Sequence, residues 1–334
     1  MLSRRELLVR GGLTMGAAMM LGDQSAQAAS TGAQAATGVT NISVNVNGLV
    51  FDGFSAGPTS GVLVLCCHGF PQFADIWIPV LEALGALGFH AVALNLRGYA
   101  LGAQPTDIGA YTNANIVSDI VGMAAALGAE TYHLIGHDFG AFMNWQVAAQ
   151  FPKQILTLTS LGTPHRDAYS AALGSDGDQQ TRSAYIPFFQ EATPIPENFL
   201  LANNANMNAA ALRAIYQGEN PGGTPPPGGL LDVVPASEVN TNIQRFSAGT
   251  TLTTALNWYK SSDLNSIGSV SVPVLYIWGD QDQALGKTAA VNTAKFCSGI
   301  YTFVQLAGRS HWLLEEVPND ILTLIQQHLT VKLT

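Results

Sequence analysis

Five short runs in this 334-residue chain are apolar almost without a break: Val62–Cys67, Ala91–Leu96, Tyr132–Ile135, Ile155–Leu158 and Val272–Trp278. A strand with one wet face alternates polar and apolar side chains. A strand without alternation needs cover on both faces, the condition of a parallel sheet flanked by helices. Helix-period patterns fall between and after the runs, at Ile76–Leu87, Asn115–Leu127, Ala141–Gln150 and Pro318–Leu329, and a β-rich stretch, Ile42–Val50, precedes them. The expected fold class is therefore α/β, a mostly parallel sheet with helices on both faces. With 47% hydrophobic and only 11% charged residues, the chain holds too much apolar surface to stay disordered. Its 14 Lys and Arg against 23 Asp and Glu lack the basic excess that a nucleic-acid partner requires.

The rhythm stops over residues 164–258, where strand signals are few. Helical segments are expected there at Gln180–Gln190, Pro196–Asn203 and Asn208–Gln217, followed by the turn-rich span Gly218–Gly229 with its run Pro225-Pro226-Pro227. The stretch reads as a helical lid inserted into one domain. The division is then 1–40 export signal and linker, 41–163 first part of the core, 164–258 lid, and 259–334 second part of the core. No repeat of solenoid length interrupts it.

The N-terminus reads as a targeting segment. Ser3-Arg4-Arg5-Glu6-Leu7-Leu8 resembles the twin-arginine export signal, and the mild apolar stretch Gly11–Gly22 is too short to span a bilayer. Cleavage is expected after Ala28 or Ala35. The resemblance implies an exported protein, periplasmic or secreted, moved in the folded state and without stable membrane insertion once the signal is removed. Three cysteines make no disulfide framework. Cys66 and Cys67 are neighbours in one strand, so they should be buried on opposite faces of the sheet.

The segment Leu134-Ile135-Gly136-His137-Asp138-Phe139-Gly140-Ala141 carries the chemistry. A strand enters it, a helix leaves it, and glycines flank Asp138 two residues away on each side. This is the nucleophile-elbow pattern with aspartate at the centre, where the sharp turn leaves no room for neighbouring side chains. An aspartate there either caps the helix or is presented as a nucleophile at the helix N-terminus. Two later segments favour the nucleophile. Trp278-Gly279-Asp280-Gln281-Asp282 follows one strand and Gly308-Arg309-Ser310-His311-Trp312 follows the next, which is the order nucleophile, acid, histidine.

With His68-Gly69-Phe70-Pro71 and Arg97-Gly98-Tyr99, these segments resemble the epoxide hydrolase and haloalkane dehalogenase branch of the α/β-hydrolase fold, over roughly residues 41–330. The resemblance favours Asp282 over Asp280 as the acid, with Asp280 left to cap the turn. It implies Asp138 as nucleophile and His311 as base, with the backbone N–H groups of Phe70 and Phe139 as oxyanion hole and His68 in a structural role. Departures are Asn95, where the family usually carries Asp, and Ala100-Leu101-Gly102 after Tyr99.

Within the branch, halide binding calls for side-chain N–H donors where this chain has Phe70 and Phe139, which carry none. A haloacid would need a cation at the elbow, and the run Asp138–Phe142 has none. Epoxide opening needs phenols to protonate the departing oxygen. Tyr185-Ile186-Pro187-Phe188-Phe189-Gln190-Glu191 and Ala255-Leu256-Asn257-Trp258-Tyr259-Lys260 resemble the two lid-tyrosine segments of epoxide hydrolases. Tyr169 and Tyr216 lack such surroundings. The resemblance thus implies an epoxide hydrolase that acts on a small apolar epoxide through an ester of Asp138, as a monomer or homodimer and without a cofactor. A haloalkane or haloacetate dehalogenase and a non-catalytic binding protein of the same fold are the alternatives. Met143, Phe188, Phe189, Leu200 and Leu201 are candidates for an apolar pocket or for core. Gly286-Lys287-Thr288 lacks the upstream glycine of a phosphate loop, and the histidines and cysteines show no metal-ligand spacing.

Overall fold

The apolar runs are the inner strands of one eight-stranded sheet in the computed structural model, which describes residues 38–202, 209–219 and 232–330. In chain order the strands are β1 (Thr40–Val46), β2 (Leu49–Ala56), β3 (Leu63–Cys67), β4 (His90–Leu94), β5 (Tyr132–His137), β6 (Ile155–Leu161), β7 (Val274–Gly279) and β8 (Tyr301–Leu306). Across the sheet they lie β1-β2-β4-β3-β5-β6-β7-β8. β1 pairs with β2 and β2 with β4 antiparallel; every other pairing is parallel. All residues of β3, β4, β5 and β7 are buried, as strands covered on both faces must be. The β-rich stretch Ile42–Val50 lies within a hairpin made by β1 and β2. Asn47 and Gly48 both take positive φ, the two-residue turn that suits the twist of a hairpin.

Cys66 and Cys67 lie on the two sides of β3, in two separate apolar cores, and both are free thiols. α1 (Ile78–Ala86) and the C-terminal helix Pro318–Leu329 bury Leu81, Leu84, Ile321 and Ile325 against one face. α2 (Asn113–Ala126) and α3 (Phe139–Gln150) bury Ile116, Ile120, Trp145 and Val147 against the other. Both α2 and α3 begin two residues before the position that apolar periodicity marks, because their first turns are set by caps and turns. The Thr112 side chain caps α2, and the elbow starts α3.

Between β6 and β7 the described residues form seven helices: α4 (Arg166–Ser175), α5 (Gly177–Arg182), α6 (Tyr185–Phe189), α7 (Ile195–Leu200), α8 (Ala210–Tyr216), α9 (Ala236–Phe246) and α10 (Thr251–Ser261). The single helix expected over Gln180–Gln190 is two, α5 and α6. Pro187 has no N–H to give and its ring crowds the carbonyl four residues back, so α5 cannot run on through it. α10 ends at Ser261, three residues past the expected boundary at 258, so Tyr259 belongs to the insertion. After β7 come α11 (Lys287–Asn292), α12 (Leu313–Glu316) and α13 (Pro318–Leu329).

The proline run 225–227, residues 203 and 208 and the export segment up to residue 37 lie outside the described residues. Among the described residues no helix is long and apolar enough to cross a membrane.

Candidate active site

β5 delivers the chain to Asp138, which sits at φ 51° and ψ −125°, a left-handed backbone that costs a non-glycine residue about 1–3 kcal/mol. Steric need explains the glycines around it. A Cβ on Gly140 would overlap the carbonyls of Cys67 and His68, and one on Gly136 would lie 2.6 Å from the backbone nitrogen of Ala141. Asp138 does not cap α3. Its Oδ1 accepts the Phe70 N–H at 2.8 Å, and the Phe139 N–H also bears on the carboxylate. Phe70 stands where the chain leaves β3, ahead of a cis Phe70–Pro71 bond, and the buried Tyr216 hydroxyl donates to the Pro71 carbonyl. The two backbone donors foreseen as an oxyanion hole therefore converge on one carboxylate.

The loops after β7 and β8 bring the other two groups. His311 Nε2 is 3.5 Å from Asp138 Oδ2, and His311 Nδ1 is 2.8 Å from Asp282 Oδ2. Asp282 is fully buried, and its Oδ1 accepts the N–H groups of Ala284 and Leu285 at 2.8 and 2.9 Å. Asp280 is elsewhere: its carboxylate accepts from the Gly308 N–H at 2.7 Å and tethers the turn after β8. Burial opposes ionisation of Asp138, but the hydrogen bond and charge of His311 outweigh it and hold the carboxyl below its usual range. For His311, burial favours the neutral ring, yet the charge of Asp282 and the bonds to both carboxylates lift its pKa to about 10. The resting pair is thus carboxylate and imidazolium.

Two phenols face this pair from the insertion. Tyr185 starts α6 and Tyr259 lies near the end of α10, with ring centroids 6.1 Å apart and edge to face. The Tyr259 ring packs edge-on against Phe70 at 5.8 Å and Phe139 at 4.8 Å. α10 is anchored to the core beneath it, since the Trp258 indole donates to the Arg97 carbonyl at 2.6 Å and Thr254 Oγ1 to the Gly98 carbonyl at 2.6 Å. Arg97 is itself held by a buried two-bond pair with Asp119, at 2.6 and 2.7 Å. Burial, together with the nearby Asp138 charge, pushes both phenols well above their ordinary pKa, so both keep their protons. A cavity of about 420 Å³ is lined by Asp138, Phe139, Tyr185 and Tyr259.

His68, in the turn after β3, accepts the Leu96 N–H on Nε2 at 3.0 Å while burial lowers its pKa to about 4. Asn95 ties β4 to its surroundings, taking the Ala74 N–H and donating to Asp52. Of the five pocket candidates only Phe189 touches the site; Met143 and Leu200 are core, with Phe188 and Leu201 packed against it. Gly286 donates its N–H to Gln179 Oε1 at 2.8 Å and opens α11 as a structural turn. Among the described residues no group of three or more His, Cys, Asp or Glu could hold a metal ion.

One residue of the site was set aside in the sequence analysis and two more were missed. Tyr169 lines the cavity, with its hydroxyl 2.9 Å from Ser183 Oγ. Gln179 donates to Ser183 and to the Ala284 carbonyl, docking α5 on the loop that carries Asp282. His137, beside Asp138, bonds the His311 carbonyl at 3.0 Å and stays neutral, since burial and the His311 charge lower its pKa to about 4. Only for His137 was a local signal present, its place within the elbow.

Residues 62–318 match the family model described as the alpha/beta hydrolase fold. Epoxide hydrolase A of Mycobacterium tuberculosis is 29% identical over 324 residues, covering 86% of this chain and 96% of its own. Epoxide hydrolase 3 of Siraitia grosvenorii is 29% identical over 267 residues, covering 73% of this chain and 81% of its own. The crystal structure of epoxide hydrolase A from Mycobacterium thermoresistibile superposes with a TM-score of 0.73 at 26% identity, over 89% of this chain and 100% of that one.

Proposed function

The chain belongs to the α/β-hydrolase fold family, and from that premise we propose that it is an epoxide hydrolase, opening a small apolar epoxide to a vicinal diol. The observation that carries the proposal is the meeting of an ionised Asp138 with two protonated phenols, Tyr185 and Tyr259, at one apolar cavity. The likeness to named epoxide hydrolases supports it.

In this reading an oxygen of Asp138 attacks one epoxide carbon, the ring C–O bond breaks, and the phenols protonate the departing oxygen. The product is an alkyl ester of Asp138. That step consumes the carboxylate charge that helps to hold the proton on His311, so the imidazolium passes its proton to the phenolate left by ring opening, and the neutral imidazole can act as a base only once the ester exists. His311, oriented by Asp282, then takes a proton from a water that attacks the ester carbonyl. The N–H groups of Phe70 and Phe139 hold the oxyanion, a stabilisation of about 3–4 kcal/mol per donor at comparable sites. Collapse expels the ester oxygen, which takes the proton of the carboxyl formed on Asp138, so the diol leaves, Asp138 is again a carboxylate, and His311, carrying the proton taken from water, is again an imidazolium. The helical insertion, which contributes both phenols, acts as the lid. The twin-arginine pattern at Arg4-Arg5 supports export to the periplasm or beyond.

Incubating His311→Gln protein with 1,2-epoxyoctane should give an adduct of substrate mass on Asp138 by intact-mass spectrometry and peptide mapping. No adduct, with the protein folded, refutes the covalent route. Halide release from haloalkanes without diol formation from epoxides would replace the proposal with dehalogenation.

A further inference from the structure

Two hollows of very different size meet at Asp138, Tyr185 and Tyr259. The larger, about 420 Å³, continues along Phe142, Tyr169, Leu173 and Leu285. It reaches solvent where Gln180, Pro187, Gln190 and Leu264 are exposed. The smaller is about 20 Å³ and is bounded by Phe70, Phe189, Ile215 and Trp312, all buried, with His311 at its edge.

The volumes decide what each can hold. A cavity of about 150 Å³ accommodates benzene, while a single water needs only about 10–15 Å³. The large hollow therefore has room for an aryl group with a linker or a medium alkyl chain, and its apolar lining suits either. The small one has room for one water. Three of its walls are aromatic rings held by other rings, Phe70 edge to face with Phe189 at 5.4 Å and Trp312 backed by the stacked ring of Tyr216 at 5.6 Å, so it does not widen cheaply.

An epoxide whose oxygen is held by the two phenols, with one carbon over Asp138, must direct its two carbons toward different hollows. One substituent trails into the large hollow, toward the route by which the substrate entered. Anything beyond hydrogen on the other carbon meets Phe189, Ile215 and Trp312. It would also fill the space beside His311 that the ester-cleaving water has to occupy.

Resting on the epoxide hydrolase reading above, we infer that this enzyme is specific for terminal epoxides with one sizeable apolar substituent, and rejects epoxides that carry alkyl or aryl groups on both ring carbons. The narrow hollow between Phe189, Ile215 and Trp312 is the element that enforces the choice.

The test uses two isomers of equal formula, 1,2-epoxyoctane and trans-4,5-epoxyoctane, with wild-type protein and diol formation followed by gas chromatography. Three carbons without room should cost the internal epoxide about 100-fold or more in kcat/KM. Rates within about threefold of each other overturn the inference while leaving epoxide hydrolysis intact. No turnover of 1,2-epoxyoctane or of any other terminal epoxide, by folded protein, overturns the hydrolase reading itself and this inference with it. Ile215→Ala removes a wall of the small hollow and should shrink the preference for the terminal isomer about tenfold. An unchanged ratio in the folded variant removes Ile215 and the hollow it closes as the cause. If that variant does not fold, Ile215→Val is measured in its place and should move the ratio in the same direction.

Discussion

Replacing Asp138 by Asn removes one negative charge 3.5 Å from His311 Nε2 and leaves the size of the side chain unchanged. At an effective dielectric constant of about 20, a charge pair at that distance interacts by roughly 5 kcal/mol. One pH unit corresponds to about 1.4 kcal/mol, so the loss is equivalent to about three and a half pH units. His311, which titrates near 10 beside two carboxylates, should therefore titrate between about pH 6 and 7 in D138N, with Asp282 still in place at 2.8 Å. Heteronuclear NMR of the imidazole resonances measures this directly, with His311→Gln to assign the signal.

A stability consequence accompanies the shift. The folded pKa of His311 lies above the value of about 6.5 in an unfolded chain, so its stabilising contribution is complete below pH 6.5 and is lost as pH rises through 10. Urea midpoints of the wild type should fall across that window, and those of D138N much less. A His311 signal that still titrates above pH 9 in folded D138N would refute the claim that the nucleophile's charge keeps the base protonated. The charge-switched activation of the second half-reaction would fail with it.

Tyr185→Phe and Tyr259→Phe each delete one donor to the opening ring and should slow ester formation by about 10–100-fold, read in single-turnover quench experiments; an undiminished rate in either removes that phenol from the reaction. Trp258→Phe orphans the buried Arg97 carbonyl and should destabilise the protein by about 1–3 kcal/mol in urea titration, with kcat falling because α10 carries Tyr259. Glu315 takes a hydrogen bond from Gln72, while burial and the neighbouring Glu238 raise its pKa to about 7. A carboxyl raised in this way favours the folded state while protonated and opposes it as pH climbs through 7. Glu315→Gln should therefore stabilise the protein at pH 8, by on the order of 3 kcal/mol, and change little at pH 5.

The parts of this molecule legible from its sequence are those whose causes are local. The runs that became β3, β4, β5 and β7 have no polar alternation because both of their faces are covered. The start of α2 shifted only because a Thr112 cap outweighs apolar periodicity. The insertion was harder to read. α10 rests on docking against the core more than on its own pattern: it carries three threonines, and its anchors are the backbone carbonyls of Arg97 and Gly98. Tyr169 and Gln179 act through partners on other segments, Ser183 and the Asp282 loop, so no nearby signal marked them.

The glycines around Asp138, the strand before it and the helix after it mark the elbow within eight residues, although the close approach that demands Gly140 is to the carbonyls of Cys67 and His68 on the neighbouring strand and turn. The order of Asp138, Asp282 and His311 along the chain was equally open to reading. The 2.8 Å bond that singles out Asp282 over Asp280 was not, because it depends on how the loops after β7 and β8 pass each other. Nor does any spacing encode the unequal hollows. Phe189, Ile215 and Trp312 come from α6, α8 and the loop after β8, and they meet only when the insertion settles on the sheet. A void is a property of packing between distant elements, and packing is decided in three dimensions.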